Sequence, residues 1–310
     1  MHPLLLRSLA RARGAAKSLG GGIVGASTIG MLRATRYFDA TKTSDLFASL
    51  TRRTGPLLRE HRIGRVNLRA AFPEKSDDEI ERILMGVWDN LGRVAAEFAH
   101  IDHIWNYDPA HPELSRIELP LRTQELFVEL SQDNRPALIF AAHLANWELP
   151  ALAAAAHGLD AAILYRRPNI AAADRIIQEM RRVNMGTLVP AGRQAPFRLA
   201  EALQAGKHVA MLVDQYWTGG VEVTFFGRKT RANPTLARLL RQVECPVHGV
   251  RIIRLPGNRF RAELSEEIKP VRAADGRIDI QGTMQAVTSV IEGWIREYPE
   301  QWLWLHRRWR

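Results

Sequence analysis

The chain has 310 residues, 46% of them hydrophobic and 25% charged, with 43 Lys and Arg against 33 Asp and Glu and a single cysteine. That length buries a substantial core, and that composition excludes wholesale disorder and fibrous folds. One cysteine excludes a disulfide framework and any zinc site of several thiolates, and the lack of an apolar run of roughly eighteen residues excludes a polytopic membrane protein.

The formal charge of +10 is not spread evenly. Residues 1–71 hold 13 basic and 3 acidic side chains, while residues 72–310 hold 30 of each. A nucleic-acid enzyme carries its basic stripe across the folded domain, so no nucleic-acid partner is expected. Within the basic arm lies SLGGGIVGASTIGML, Ser18 to Leu32, preceded by Arg7, Arg11, Arg13 and Lys17 and followed by Arg33 and Arg36. Fifteen helical residues span roughly 22 Å, short of the ~30 Å hydrocarbon core. No small-residue cleavage site follows, as a signal peptide requires. The segment reads instead as a monotopic or shallowly inserted helix, held by apolar burial and by attraction to anionic lipid. Basic residues on both sides suit the cytoplasmic face of a membrane. On this reading residues 1–60 form a membrane-associated segment and 61–310 the globular domain. Gly20, Gly22 and Gly25 match G-x-G-x-x-G, but a basic alanine-rich stretch, not a strand, precedes them, so they mark no dinucleotide site.

Further along, Ser76 and Glu79 form a capping-box pair after Pro73, and Ile80, Ile83, Leu84, Val87, Trp88, Leu91, Val94 and Phe98 recur at helical spacing. Prolines 109, 112 and 120 mark a loop over 105–120. After Pro136 the chain alternates. Strands are predicted at 137–142, 161–165, 187–189, 209–213, 247–253 and 260–264, with an edge strand at 221–226. Helices are predicted from Asn146, over 171–184, before Gly206, from Asn233-Pro234 and over 282–297. The alternation predicts a three-layer α/β domain with a largely parallel sheet.

Chemistry concentrates in FAAHLANWELP, which places His143 and Glu148 five apart where a buried strand gives way to a helix. On one continuous helix they would stand about 140° apart. A strand-to-helix turn can instead fold the carboxylate back toward the imidazole. A neutral His so oriented can take a proton from a hydroxyl nucleophile, and the helix start offers backbone donors to negative charge. The pattern alone also fits a His satisfied by a loop carbonyl and a Glu at a helix start. No H-E-x-x-H, G-x-S-x-G or Walker A string is present.

From about residue 60 onward the chain resembles the late, or secondary, acyltransferases of lipid A biosynthesis, the lauroyl and myristoyl acyltransferases. The resemblance rests on NLRAAFPEKSDDEI from Asn67, HLANWE from His143, YRRPN from Tyr165, the helix carrying Asp174 and Arg181, VDQ from Val213, FFG from Phe225 and PEQWLWLHRRW from Pro299. Glycerolipid acyltransferases usually have Asp in place of Glu148 and a later E-G-T-R, absent here. The resemblance implies transfer of a fatty acyl chain from acyl carrier protein to a hydroxyl on a hydroxyacyl chain of a lipid A precursor. His143 would be the general base and Glu148 its orienting partner, with no metal or organic cofactor. Arg166, Arg181, Asp214 and Gln215 are carried over as substrate-binding candidates, since arginine forks suit phosphate and carboxylate; each arginine also reads as a surface charge, and Asp214 as a buried partner for one. Trp302, Trp304 and Trp309, with His306, Arg307 and Arg308, read either as an interfacial belt or as core. Trp309 stands where relatives usually have Phe. An acceptor of another kind, such as a phosphatidylinositol mannoside, is the competing expectation.

Overall fold

The computed structural model describes residues 35–111, 114–166 and 185–310. The segment Ser18 to Leu32, the helix expected over 171–184 and Arg181 lie outside the described residues.

Two helices, α1 (Ala40–Thr54) and α2 (Arg59–Ala71), pack against a longer one, α3 (Asp77–Phe98). Asp39 caps α1 by accepting from the Lys42 amide at 2.9 Å. The capping box at α3 forms as its spacing requires: the Glu79 amide donates to Ser76 Oγ, and the Ser76 amide to Glu79 Oε2. α1 and α3 meet closely at Gly92, where a Cβ would stand 2.5 Å from the Phe47 carbonyl oxygen. α1 thus joins the folded body although it falls in the stretch read as the N-terminal segment.

Among the described residues the central sheet has seven strands, in the order β1 (Ile117–Glu118), β9 (Arg259–Leu264), β8 (Val247–Leu255), β2 (Leu138–Ala141), β5 (His208–Leu212), β3 (Ala161–Tyr165), β4 (Thr187–Pro190). All neighbours run parallel except the β8–β9 pair. The fold is therefore mixed α/β with a mostly parallel sheet. Helix α4 (Leu121–Gln132) precedes β2, α5 (Leu149–Ala156) follows it, and α6 (Ala195–Gln204), α7 (Thr235–Gln242) and α8 (Ile280–Glu297) come later in the chain. Gly206, with φ +80°, ends α6, as its conformational freedom suits it to do.

The period of two along each strand divides the core. Leu138 and Phe140 of β2 and Val209 and Met211 of β5 pack with α6, α7 and α8. Ala141 and the residues beside it on the other face pack with Leu126, Phe127 and Leu130 of α4 and Leu149, Leu152 and Ala153 of α5.

Three expectations change or narrow. The segment 221–226 is not an edge of the main sheet: β6 (Val221–Phe225) pairs antiparallel with β7 (Arg228–Ala232) in a separate hairpin. β7 went unread because RKTRA offers Thr230 and Ala232 as its only inward positions amid three charges. The helix α4 also went unread, although Thr123, Leu126, Phe127 and Leu130 bury at helical spacing. Finally, of the two readings of the C-terminal tryptophans, core is the one that holds for Trp302 and Trp304. Trp302 and Trp304 are fully buried with ring centroids 4.6 Å apart, edge on, and the buried Arg308 guanidinium reaches Thr230 Oγ1 at 2.8 Å. Among the described residues no helix is long and apolar enough to cross a membrane.

Gly92→Val is expected to push α1 off α3, because the obstacle is backbone, not a flexible side chain. Overpacking of this kind costs about 1–3 kcal/mol. Urea unfolding should show the lower midpoint, with earlier proteolytic cleavage in α1.

Candidate active site

The parallel register of β2 and β5 builds the site. Ala141 pairs with Leu212, so the residues two further along each strand, His143 and Asp214, meet at the carboxyl ends of adjacent strands. That is where open α/β sheets hold their ligands. His143 Nδ1 lies 2.8 Å from Asp214 Oδ1, and the His143 amide donates to Asp214 Oδ2 at 2.9 Å. The Trp302 indole N–H also donates to Oδ2, at 2.7 Å. Asp214 is only 2% exposed, and a buried carboxylate needs such partners. Burial would raise its pKa, but the imidazole's charge, its hydrogen bond and the His143 amide hold it well below the usual carboxylate range. Asp214 is therefore ionised and can only accept. Nδ1 then carries the proton, and Nε2 turns its lone pair outward, 3.3 Å from the exposed Gln215 amide nitrogen. For His143, burial pulls the pKa down, yet the charge and hydrogen bond of Asp214, with the charge of Glu148, hold it above its ordinary value.

Glu148 acts on the imidazole through its charge, and Asp214, carried over as a substrate-binding candidate, holds His143 Nδ1. The two residues lie 71 positions apart, and only the strand order brings them together. Glu148 lines the same cavity, as do Arg166, Gln215, Trp147 and Trp217. Arg166 is exposed there. Trp302, one of the tryptophans of the WLWLHRRW string that read either as belt or as core, is the residue whose role at the site no sequence signal gave.

The turn that carries His143 is clamped from behind. Ala145 is fully buried with φ +45°, a left-handed conformation costing a non-glycine residue of order 1–3 kcal/mol. The C-terminal strap holds it in place: the Ala145 amide donates to the Gln301 carbonyl at 2.9 Å, and the Leu303 amide to the His143 carbonyl at 3.1 Å. Asn90 Nδ2 donates to the Ala145 carbonyl, and Asn90 Oδ1 accepts from Arg254 Nε at 2.9 Å. Arg254 also grips Glu97 with two nitrogens, and Glu97 accepts from Asn146 Nδ2 at 2.9 Å. Asn146 Oδ1 in turn accepts from the Glu148 amide at the entry to α5.

From His143 a cavity of about 370 Å³ runs along one face of the sheet. Its walls are the same-parity residues of three neighbouring strands: Ile139 and Ala141 of β2, Ala210 and Leu212 of β5, Ala161 and Ile163 of β3. Pro150, Ala151 and Ala154 of α5 and Phe127 and Leu130 of α4 cover it. Small alanines on facing surfaces leave the space that close packing would otherwise fill. The polar, exposed groups gather at the His143 end, so that end is the mouth. Among the described residues no group of three or more His, Cys, Asp or Glu is placed to hold a metal.

A sequence profile of the family described as Bacterial lipid A biosynthesis acyltransferase matches residues 23–310. No curated protein matches the chain significantly.

Glu97→Gln tests the clamp. Removing one partner of a buried ion pair leaves Arg254 uncompensated and costs about 3–5 kcal/mol. The expected result is a denaturant midpoint lowered accordingly.

Proposed function

Since the chain belongs to the bacterial lipid A biosynthesis acyltransferase family, we propose that it moves a fatty acyl chain from an acyl-carrier-protein thioester to a hydroxyl of a lipid A precursor, with His143 as general base. The family is one of acyltransferases and implies the lipid A precursor as acceptor. The single observation that carries the mechanism is the Nδ1–Asp214 bond at the mouth of an apolar cavity, which leaves Nε2 free to take a proton.

In the reaction the acceptor hydroxyl takes the place that the Gln215 amide holds opposite Nε2. Its proton passes to Nε2 as its oxygen attacks the thioester carbonyl. The tetrahedral intermediate collapses, the C–S bond breaks, and the imidazolium returns the proton to the departing thiolate. Asp214 keeps the ring in the required tautomer and stabilises the imidazolium. Glu148 adds negative charge at the same mouth, and Arg166 and Arg181 are assigned to the acidic and phosphate groups of the substrates. The saturated chain occupies the cavity, where each buried methylene is worth about 0.8 kcal/mol.

The exposed face of the N-terminal helices supports action at the cytoplasmic face of the inner membrane. Leu46, Leu50 and Arg53 share one side of α1, with Leu57 and Leu58 following and Val66, Arg59 and Arg62 on α2. Apolar side chains beside cations suit an anionic lipid surface, each cation contributing about 1 kcal/mol.

Radiolabelled transfer from acyl carrier protein to a lipid A precursor tests the proposal. His143→Ala is expected to lose roughly 10²–10⁴-fold in rate, and an undiminished rate would refute it. The base works deprotonated, so wild-type kcat/KM should rise with pH through a pKa above the ordinary histidine value. In Asp214→Asn the main opposition to burial is lost and only the charge of Glu148 remains, so the inflection should move to lower pH while the maximal rate falls.

A further inference from the structure

The inner end of the cavity differs from its walls. His208 opens β5, with its side chain on the same face as Ala210 and Leu212, and lines the cavity. It pairs in register with Ala161 of β3. Leu130, whose backbone the ring bonds, and Leu159, just ahead of Ala161, line this end, while Val250 and Leu264 line the cavity farther along, one residue beyond the Phe140–Gly249 pair. His208 is 6% exposed, and its Nδ1 has no hydrogen-bond partner, while the ring bonds the Leu130 backbone. Burial holds its pKa below the ordinary value, so near neutral pH the ring is uncharged. An alkyl chain threading inward thus meets aliphatic walls and then an imidazole fixed by its backbone bond.

The strand geometry measures the path. From His208 to Leu212 the strand rises about 13 Å, and His143 lies two residues beyond the partner of Leu212, so mouth and floor are roughly 13–20 Å apart. A saturated chain advances roughly 1.3 Å per carbon, as set by a C–C bond of ~1.5 Å. We infer that His208 is the floor of an acyl tunnel and sets the donor's chain length, admitting saturated chains of roughly ten to fifteen carbons and rejecting longer ones. This rests on reading the cavity as the acyl site. The ring cannot swing aside for another methylene without losing its bond to Leu130, and Phe127, Leu130 and Leu159 belong to the buried core on this face of the sheet.

The test uses the full-length protein with two readouts: binding of a ladder of even-numbered saturated fatty acids bracketing that range, and transfer from the corresponding acyl-carrier-protein thioesters. The wild type should show a cut-off within the range in both. His208→Ala should move the cut-off to chains longer by about two to four carbons, the reach of the deleted ring. Ala161→Leu, which fills the floor from the neighbouring strand, should shorten it. Transfer at wild-type rates with an unmoved cut-off in both folded variants would overturn the ruler and leave the acyltransferase reading intact. A cut-off that moves in binding without any transfer would support the ruler and count against the transferase reading. Absence of both binding and transfer in the wild type would overturn the two together.

Discussion

One hydrogen bond, from His143 Nδ1 to Asp214, organises the site. It exists because β2 and β5 are parallel neighbours in register, so their carboxyl ends deliver an imidazole and a carboxylate to the same place. The bond fixes which ring nitrogen carries the proton, and thereby which one faces the cavity. It also reverses the effect of burial on the imidazole, which by itself would depress its pKa. Asp214 can remain charged in the interior because two further donors, the His143 amide and the Trp302 indole, share its second oxygen.

Holding this pair still requires the rest of the chain. The turn after β2 passes through Ala145 in a left-handed conformation, which an alanine would not adopt unaided. Its neighbours over-determine it: the strap on one side, and Asn90, Arg254, Glu97 and Asn146 on the other. Those partners come from α3, β8 and the C-terminus, so distant parts of the sequence converge on one turn. Glycine at 145 would relieve the strain, yet it would loosen the turn in the unfolded and folded chain alike. A buried, fully bonded polar network specifies one arrangement because any alternative leaves its members unpaired.

What could be read from the sequence follows the range of the interactions. Local signals sufficed for the capping box at Ser76, for the strands of the sheet other than β1, which lies in the stretch 105–120 expected to be loop, and for His143 at a strand end. Asp214 and Gln215 stood out as an acid and an amide after an apolar strand. The partnership between Asp214 and His143 was not legible, because it depends on strand order, whereas Glu148 lies near His143 in sequence. Trp302 was ambiguous for a similar reason. A tryptophan among arginines looks interfacial until the strap is laid onto the turn at Leu144, where the two form an antiparallel bridge. The cavity was likewise invisible: Ala141, Ala161 and Ala210 are ordinary strand residues singly, and only their shared parity on adjacent strands makes a channel.

The central claim is that Asp214 fixes the protonation of the imidazole so that Nε2 meets the substrate bare. Nitrogen-15 chemical shifts of the His143 ring, in protein labelled at histidine and held above the His143 pKa, report it directly. The account predicts a protonated Nδ1 and an unprotonated Nε2. A ring protonated at Nε2, with Nδ1 bare, would contradict it.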